Sequence, residues 1–412
     1  MTSDFLLIVI AGAVGLYMAW NIGANDVANS FGDAIGSKSL TFKQVVLVAI
    51  IFEFAGAVLV GANVTNTVRK GVVDPLIFSS NPELFIMGMI SALFAAGVWL
   101  HIASSIGWPV STTHAIVGAI VGFGLVGGGV DAIKWSKIVQ IVLSWVISPV
   151  MGGATAAAMF IFINRRIIDT RDPLLSLKRA SPYLIFVVTV AFSLSMTFKG
   201  LKNLHLDLSM QKALLLSSMV AVFASVIGKM LIDRVEPGRK GGFDAVEGVF
   251  RYLVIITSCY IAFAHGANDV ANAIGPVAAV ISVIKTKTLL MEVGVPLWVL
   301  LLGGGGIVLG LATYGYKVIE TIGKKITEIT PSRAFAADFG AATTVLVASK
   351  VGLPISTTHT LVGAIIGVGL VRGMAALNLK VIRDIIISWG VTIPFTMVLT
   401  IFIYGILVRV LV

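Results

Sequence analysis

Apolar runs of about 18–25 residues follow one another along almost the whole chain, parted by short polar stretches rich in Lys and Arg. Each run is long enough to cross roughly 30 Å of hydrocarbon. They fall near 5–36, 44–68, 84–104, 110–126 and 138–163, then near 183–198 and 213–232, then near 251–284, 296–316, 334–349, 355–371 and 385–410. The pattern predicts an all-α polytopic membrane protein. Segments 84–104 and 110–126 are separated by only a few residues, as are 334–349 and 355–371. Each pair is therefore either two full spans or one re-entrant hairpin. The run that opens the chain lacks a basic leader and a small-residue cleavage site, so it reads as a retained span and not a signal peptide.

The pattern occurs twice. Gly-Ala-Asn-Asp-Val-Ala-Asn-Ser at 23–30 returns as Gly-Ala-Asn-Asp-Val-Ala-Asn-Ala at 266–273, an offset of 243. The segment 109–126, which opens Pro-Val-Ser-Thr-Thr-His, returns at 354–371 with 13 of 18 positions identical and an offset of 245. A weaker third pair joins Ser144-Trp145 and Pro149 to Ser388-Trp389 and Pro394. The unit thus divides the chain into a first repeat, 1–163, a middle part with loops and two linking spans, 164–250, and a second repeat, 251–412. Each unit has an odd number of crossings under either reading of the hairpins. With two spans between them, the units enter the membrane from opposite faces and form inverted-topology repeats.

Composition agrees with this layout and adds a direction. Of 412 residues, 57% are hydrophobic and only 12% charged, against roughly 25% charged in soluble domains. The net charge of +10 does not point to nucleic acid, because the basic residues sit between spans. It reads as topogenic charge with attraction for anionic lipid. With both termini outside, nineteen Lys and Arg fall on the inner side and ten on the outer. That is the sense of the positive-inside rule. The one cysteine, Cys259, excludes an intrachain disulfide and a thiol metal cluster.

Four segments carry candidate chemistry. Gly-Ala-Asn-Asp inside a span predicts a broken helix, with Gly ending one half and Asn or Asp capping the next. The carbonyls freed at Ala24 and Ala267, with the oxygens of Asn25, Asp26, Asn268 and Asp269, form hard ligand sets suited to Na⁺. A carboxylate inside the membrane is costly and marks an ion path. At the other two segments, Pro109 and Pro354 stop the preceding stretch and Ser111 and Ser356 can cap a Gly-rich helix. Ser111, Thr112 and Thr113, with Ser356, Thr357 and Thr358, then offer hydroxyls and helix-start N–H groups to one small oxyanion, with Asp26 and Asp269 beside it. Tight helix packing by small residues is the competing reading of these segments. Glu53 and Asp338, the second Asn of each motif (Asn29 and Asn272), and His114 and His359 are secondary candidates for an ion path; the two histidines suit helix-to-helix contact at least as well. His265 has no counterpart in the first repeat, where Ile22 stands, and receives no primary role. The run Gly303–Gly306 lacks the Lys-Ser/Thr of a phosphate loop and reads as helix packing.

An anion beside two carboxylates needs cations, since at ~4 Å and an effective dielectric near 20 each like-charge contact costs about 4 kcal/mol. Anion and cations in one site mean symport. A channel of half-helices needs no acidic pair. A hydrolase built on Ser111 and His114 is disfavoured by the duplicate at Ser356 and His359.

The doubled Gly-Ala-Asn-Asp-Val-Ala-Asn and Pro-[Ile/Val]-Ser-Thr-Thr-His signatures resemble the inorganic phosphate transporter (PiT) family over 5–163 and 251–410. Phe52-Glu53 with Gly61, and Ile329-Thr330-Pro331-Ser332 ahead of Asp338, belong to the same resemblance. It implies a non-enzymatic carrier in a bacterial or archaeal plasma membrane that takes up inorganic phosphate with Na⁺ by alternating access. In some bacterial members the coupling is to H⁺, or the cargo is metal-phosphate. It further implies that Asp26, Asp269, Glu53 and Asp338 matter for transport. No cofactor is expected beyond the coupling ion, and a homodimer is left open. The short central loop, 233–250, departs from larger eukaryotic relatives.

Overall fold

The computed structural model describes residues 2–61, 72–197, 209–236, 242–289, 294–350 and 355–411. Pro354 and parts of the expected spans 44–68 and 183–198 lie outside the described residues. Among those described the chain is helical, with one isolated bridge between Val73 and Ile133. In the first repeat, α1 (Thr2–Ile22) continues through a π-helical turn, Gly23–Val27, to Ser30, and α2 spans Gly32–Gly36. Helix α3 (Phe42–Val48) runs on through a second π turn, Ala49–Glu53, to residue 61. Then come α4 (Pro82–Ile106), α5 (Thr112–Gly128) and α6 (Trp135–Ile163). The linking helices are α7 (Pro173–Ser195) and α8 (Met210–Asp233). The second repeat contains α9 (Gly242–Thr286), α10 (Leu297–Tyr314), α11 (Tyr316–Glu320), α12 (Pro331–Lys350), α13 (Thr357–Val371) and α14 (Leu379–Leu411).

Nine helices among the described residues are long and apolar enough to span a membrane. The chain is a multi-pass membrane protein. Helices α5 and α13 are shorter, at 17 and 15 residues.

The expected helix breaks are corrected by the structure. Gly23–Asn25 lies in a π turn whose flanking residues keep right-handed helical geometry and no side-chain cap, and α9 passes through Gly266–Asn268 without interruption. Gly23 and Gly266 are needed instead for close approach. A Cβ on Gly23 would lie 1.7 Å from the carbonyl oxygen of Ile307, and one on Gly266 would lie 2.1 Å from that of Glu53. The chain does bend at Phe31 (φ −117°, ψ 1°), just past the first motif. The expected loop 233–250 is also shorter than the spacing suggested, because α9 is already helical from Gly242 with Asp244 in its first turn.

The two copies interlock rather than standing side by side. Helix α1 packs on α10, and α9 packs on the π turn that ends at Glu53. Helix α5 packs on α14, while α13 packs on α6. In every case one partner comes from each repeat. A Cβ on Gly118 would meet Ile393 O at 2.9 Å, and one on its repeat partner Gly363 would meet Pro149 O at 2.2 Å. Small residues let these backbones touch where hydrocarbon offers no hydrophobic drive for association.

Candidate functional site

Both motif helices begin as the sequence suggests. Ser111 and Ser356 have extended backbone and accept from the N–H groups of His114 and His359, at 3.3 and 3.2 Å. Ahead of α5, Gly107 takes a left-handed φ of +74°, and Trp108 N–H closes the end of α4 on Ala103 O at 2.8 Å. Asn25 braces this hairpin. Its amide nitrogen donates to Ser104 Oγ (3.0 Å) and Trp108 O (2.9 Å), and its oxygen accepts from Val110 N–H (3.0 Å).

The interlock brings the two acidic motifs and the two threonine motifs to one place. Asp26 accepts from Thr112 Oγ1 of its own repeat (2.5 Å) and from Thr358 Oγ1 of the other (2.9 Å). Asp269 accepts from Thr357 Oγ1 at 2.7 Å and from the Asn268 amide at 3.0 Å. The second asparagines cross over. Asn29 donates to Thr358 Oγ1 at 3.0 Å, and Asn272 donates to Thr112 Oγ1 (3.1 Å) and Thr113 Oγ1 (3.3 Å). Asp26, Asp269, Asn29, Asn272, Thr112 and Thr358 are each no more than 2% exposed. Helical spacing makes this possible. Asn29 and Asn272 stand three residues after their aspartates, on the same helix face, and the threonines form the first turn of the facing helix.

His265 was given no role by the repeat pattern, and the structure puts it at the centre. Its Nε2 lies 2.9 Å from Asp269 Oδ2 and 3.9 Å from Asp26 Oδ2, and its Nδ1 is 2.5 Å from Glu53 Oε1. One imidazole is thus set among three acids, all fully buried. Glu53 reaches the cluster from a π turn, a local widening common at functional sites. The missed signal was the spacing. Once the helix is read straight through the motif, His265 lies four residues before Asp269 on one face. Asp26, His265 and Asp269 each offer a ligand atom, and these lie within 4.8 Å of one another.

Asp338 lies elsewhere. It accepts from Thr257 Oγ1 at 2.7 Å and faces Asp33, which accepts from Ala34 N–H at 2.8 Å; both acids are fully buried. Asp33 is seven residues past Asp26, beyond the bend at Phe31, and the sequence pattern had not singled it out.

The sequence model of the PHO4 phosphate transporter family matches residues 22–400. The chain belongs to that family. A candidate phosphate permease of Haemophilus influenzae is 46% identical over 94% of this chain and 93% of its own length. The chloroplastic inorganic phosphate transporter 2-1 of Arabidopsis thaliana is 43% identical over 92% of this chain and 68% of its own. A solved structure described as the sodium-dependent phosphate transporter aligns with a TM-score of 0.91 at 43% identity, over 98% of this chain and all of that one. Among the described residues, hydroxyls, amides and carboxylates drawn from both repeats form one buried cluster.

Proposed function

We propose that this protein is a secondary active symporter that carries inorganic phosphate with Na⁺ across a bacterial or archaeal plasma membrane by alternating access. One observation carries the reading: Thr112 and Thr358, from opposite repeats, both donate to Asp26. Hydroxyls from two helix starts converge where two carboxylates also sit, so anion donors and cation ligands share one pocket. The threonine hydroxyls, the Asn29 and Asn272 amides and the helix-start N–H groups of α5 and α13 grip the phosphate oxygens. Asp26 and Asp269 hold Na⁺, which removes the like-charge cost of about 4 kcal/mol per contact and lets both species bind together. When Na⁺ takes a carboxylate oxygen, the threonine that donated to it is released toward phosphate. Asn25 serves by holding the α4–α5 hairpin in register. Inverted repeats supply the two faces that open in turn.

The sodium-dependent phosphate transporter that aligns over the whole chain supports Na⁺ as the coupling ion. His265 among Asp26, Asp269 and Glu53 favours a second reading, H⁺ coupling, in which the imidazole carries the positive charge that Na⁺ would bring. Uptake of ³²P-phosphate into proteoliposomes decides between them, with Na⁺, K⁺ and pH gradients imposed one at a time. Uptake driven by Na⁺ alone supports the proposal. Uptake driven only by pH favours the second reading, and uptake with no gradient dependence sinks both.

A further inference from the structure

A row of four rings runs between the two copies immediately behind the threonines. His114 and His359 meet edge to face with centroids 4.3 Å apart. Trp145 of α6 covers the outer side of His114, and Trp389 of α14 covers that of His359, each at 3.7 Å. Both histidines are 2% exposed; the His359 ring reaches the Trp145 backbone, while among the described residues neither ring nitrogen of His114 has a hydrogen-bond partner. Buried polar atoms without partners are rare and call for an explanation. Ring stacking orients the four side chains, with the Trp145 backbone at His359.

The row is tied to the site at both ends. Each histidine is the third residue of its helix, and its own backbone N–H closes the Ser111 or Ser356 cap. The ring row therefore joins the first turns of α5 and α13, which carry Thr112, Thr113, Thr357 and Thr358. Trp389 Nε1 also donates to Pro109 O at 3.1 Å, binding the second repeat to the hairpin of the first.

We infer that His114 and His359 are positioning residues whose stacked rings set the distance between the two Ser-Thr-Thr segments, and through it the size of oxyanion the site prefers. This rests on the phosphate-site reading above. The aromatic body does the spacing, so another aromatic ring in each place keeps the stack.

The test is steady-state uptake by the full chain in proteoliposomes, with arsenate, a larger tetrahedral oxyanion, as competitor. His114→Ala and His359→Ala should each raise the phosphate KM about tenfold or more with Vmax held within about threefold, and should shift relative affinity toward arsenate. The double variant His114→Phe/His359→Phe should keep KM and the arsenate ratio within about threefold of wild type. Three results overturn the inference: wild-type KM in both Ala variants, a raised KM with an unchanged arsenate ratio, or loss of uptake in the Phe variant while His→Gln keeps it. If the wild-type protein moves no phosphate, the function proposed above fails by itself. Calorimetric binding of phosphate and arsenate to the same variants then reads the spacing directly, with the same outcomes for and against.

Discussion

Asp26 joins the two repeats directly, because its two oxygens take one hydroxyl from each and approach His265 as well. Exchanging it for Asn keeps the shape and removes the charge. Asp26→Asn and Asp269→Asn should each abolish Na⁺-driven phosphate uptake while the protein still inserts and runs as a folded species in detergent. Na⁺ dependence at the wild-type level in both variants would contradict the cation role. The threonines separate more finely. Thr358 both donates to Asp26 and accepts from Asn29, whereas Thr113 has only the Asn272 contact and is half-buried. Losing a hydrogen bond to a charged partner costs about 1.5–3 kcal/mol, so Thr358→Val should weaken phosphate binding roughly ten- to hundredfold. Thr113→Val should do less, and equal losses in a titration would argue against the crossed geometry.

At the scale of elements, the helices are held by reciprocal glycine contacts between repeats. Gly23 lies on Ile307 O while Gly310 lies on Trp20 O, and Gly266 lies on Glu53 O while Gly56 lies on Phe263 O. In each crossing both backbones yield at once, so neither can give way to a methyl group. Gly310→Ala and Gly266→Ala should therefore destabilise the protein by about 1–3 kcal/mol, the usual range for overpacking. Gly305→Ala is the control, since a Cβ there meets nothing within 4 Å. Thermal unfolding in detergent compares the three. The idea fails if the Gly305 variant loses as much as the other two. Pro149 and Pro394 occupy the middle of the long helices α6 and α14 without ending them. Burial against α13 and α5 outweighs the missing hydrogen bond.

For the whole molecule, the prediction is linkage. If Na⁺ relieves repulsion between phosphate and the aspartates, it must tighten phosphate binding, and phosphate must tighten Na⁺ binding by the same factor. A coupling of about 1–3 kcal/mol, or 5–150-fold, is the usual range. Calorimetric titration of phosphate at several Na⁺ concentrations, with K⁺ holding ionic strength, measures it. Equal phosphate affinity with and without Na⁺ would rule out the symport mechanism. The charge asymmetry of the loops makes a second prediction at this scale: tags on both termini should be reached by an impermeant reagent in intact cells. Protection of one tag alone would overturn the inverted layout, and protection of both would reverse its sidedness.

The membrane class, the duplicated unit, the Ser caps and the identity of both aspartates were legible along the chain, because hydropathy and helix-start chemistry are local. The threonine segments were legible as capped helix starts and as packing surfaces: Ser111 and Ser356 cap their helices while Gly118 and Gly363 pack against the other repeat. The supposed helix breaks were not, since Gly-Ala-Asn-Asp looks the same whether its glycine ends a helix or admits a neighbouring backbone. That choice depends on Ile307 and Glu53, which lie far away in sequence. His265 and Asp33 also needed the tertiary structure, and Glu53, legible as an intramembrane acid, needed it to acquire its partner His265. Each gains its meaning from partners on another helix, and the repeat pattern that exposed Asp26 and Asp269 is blind to a residue present in one copy only. Local sequence determined which groups could bind an ion; the interlock of the two copies decided which of them meet.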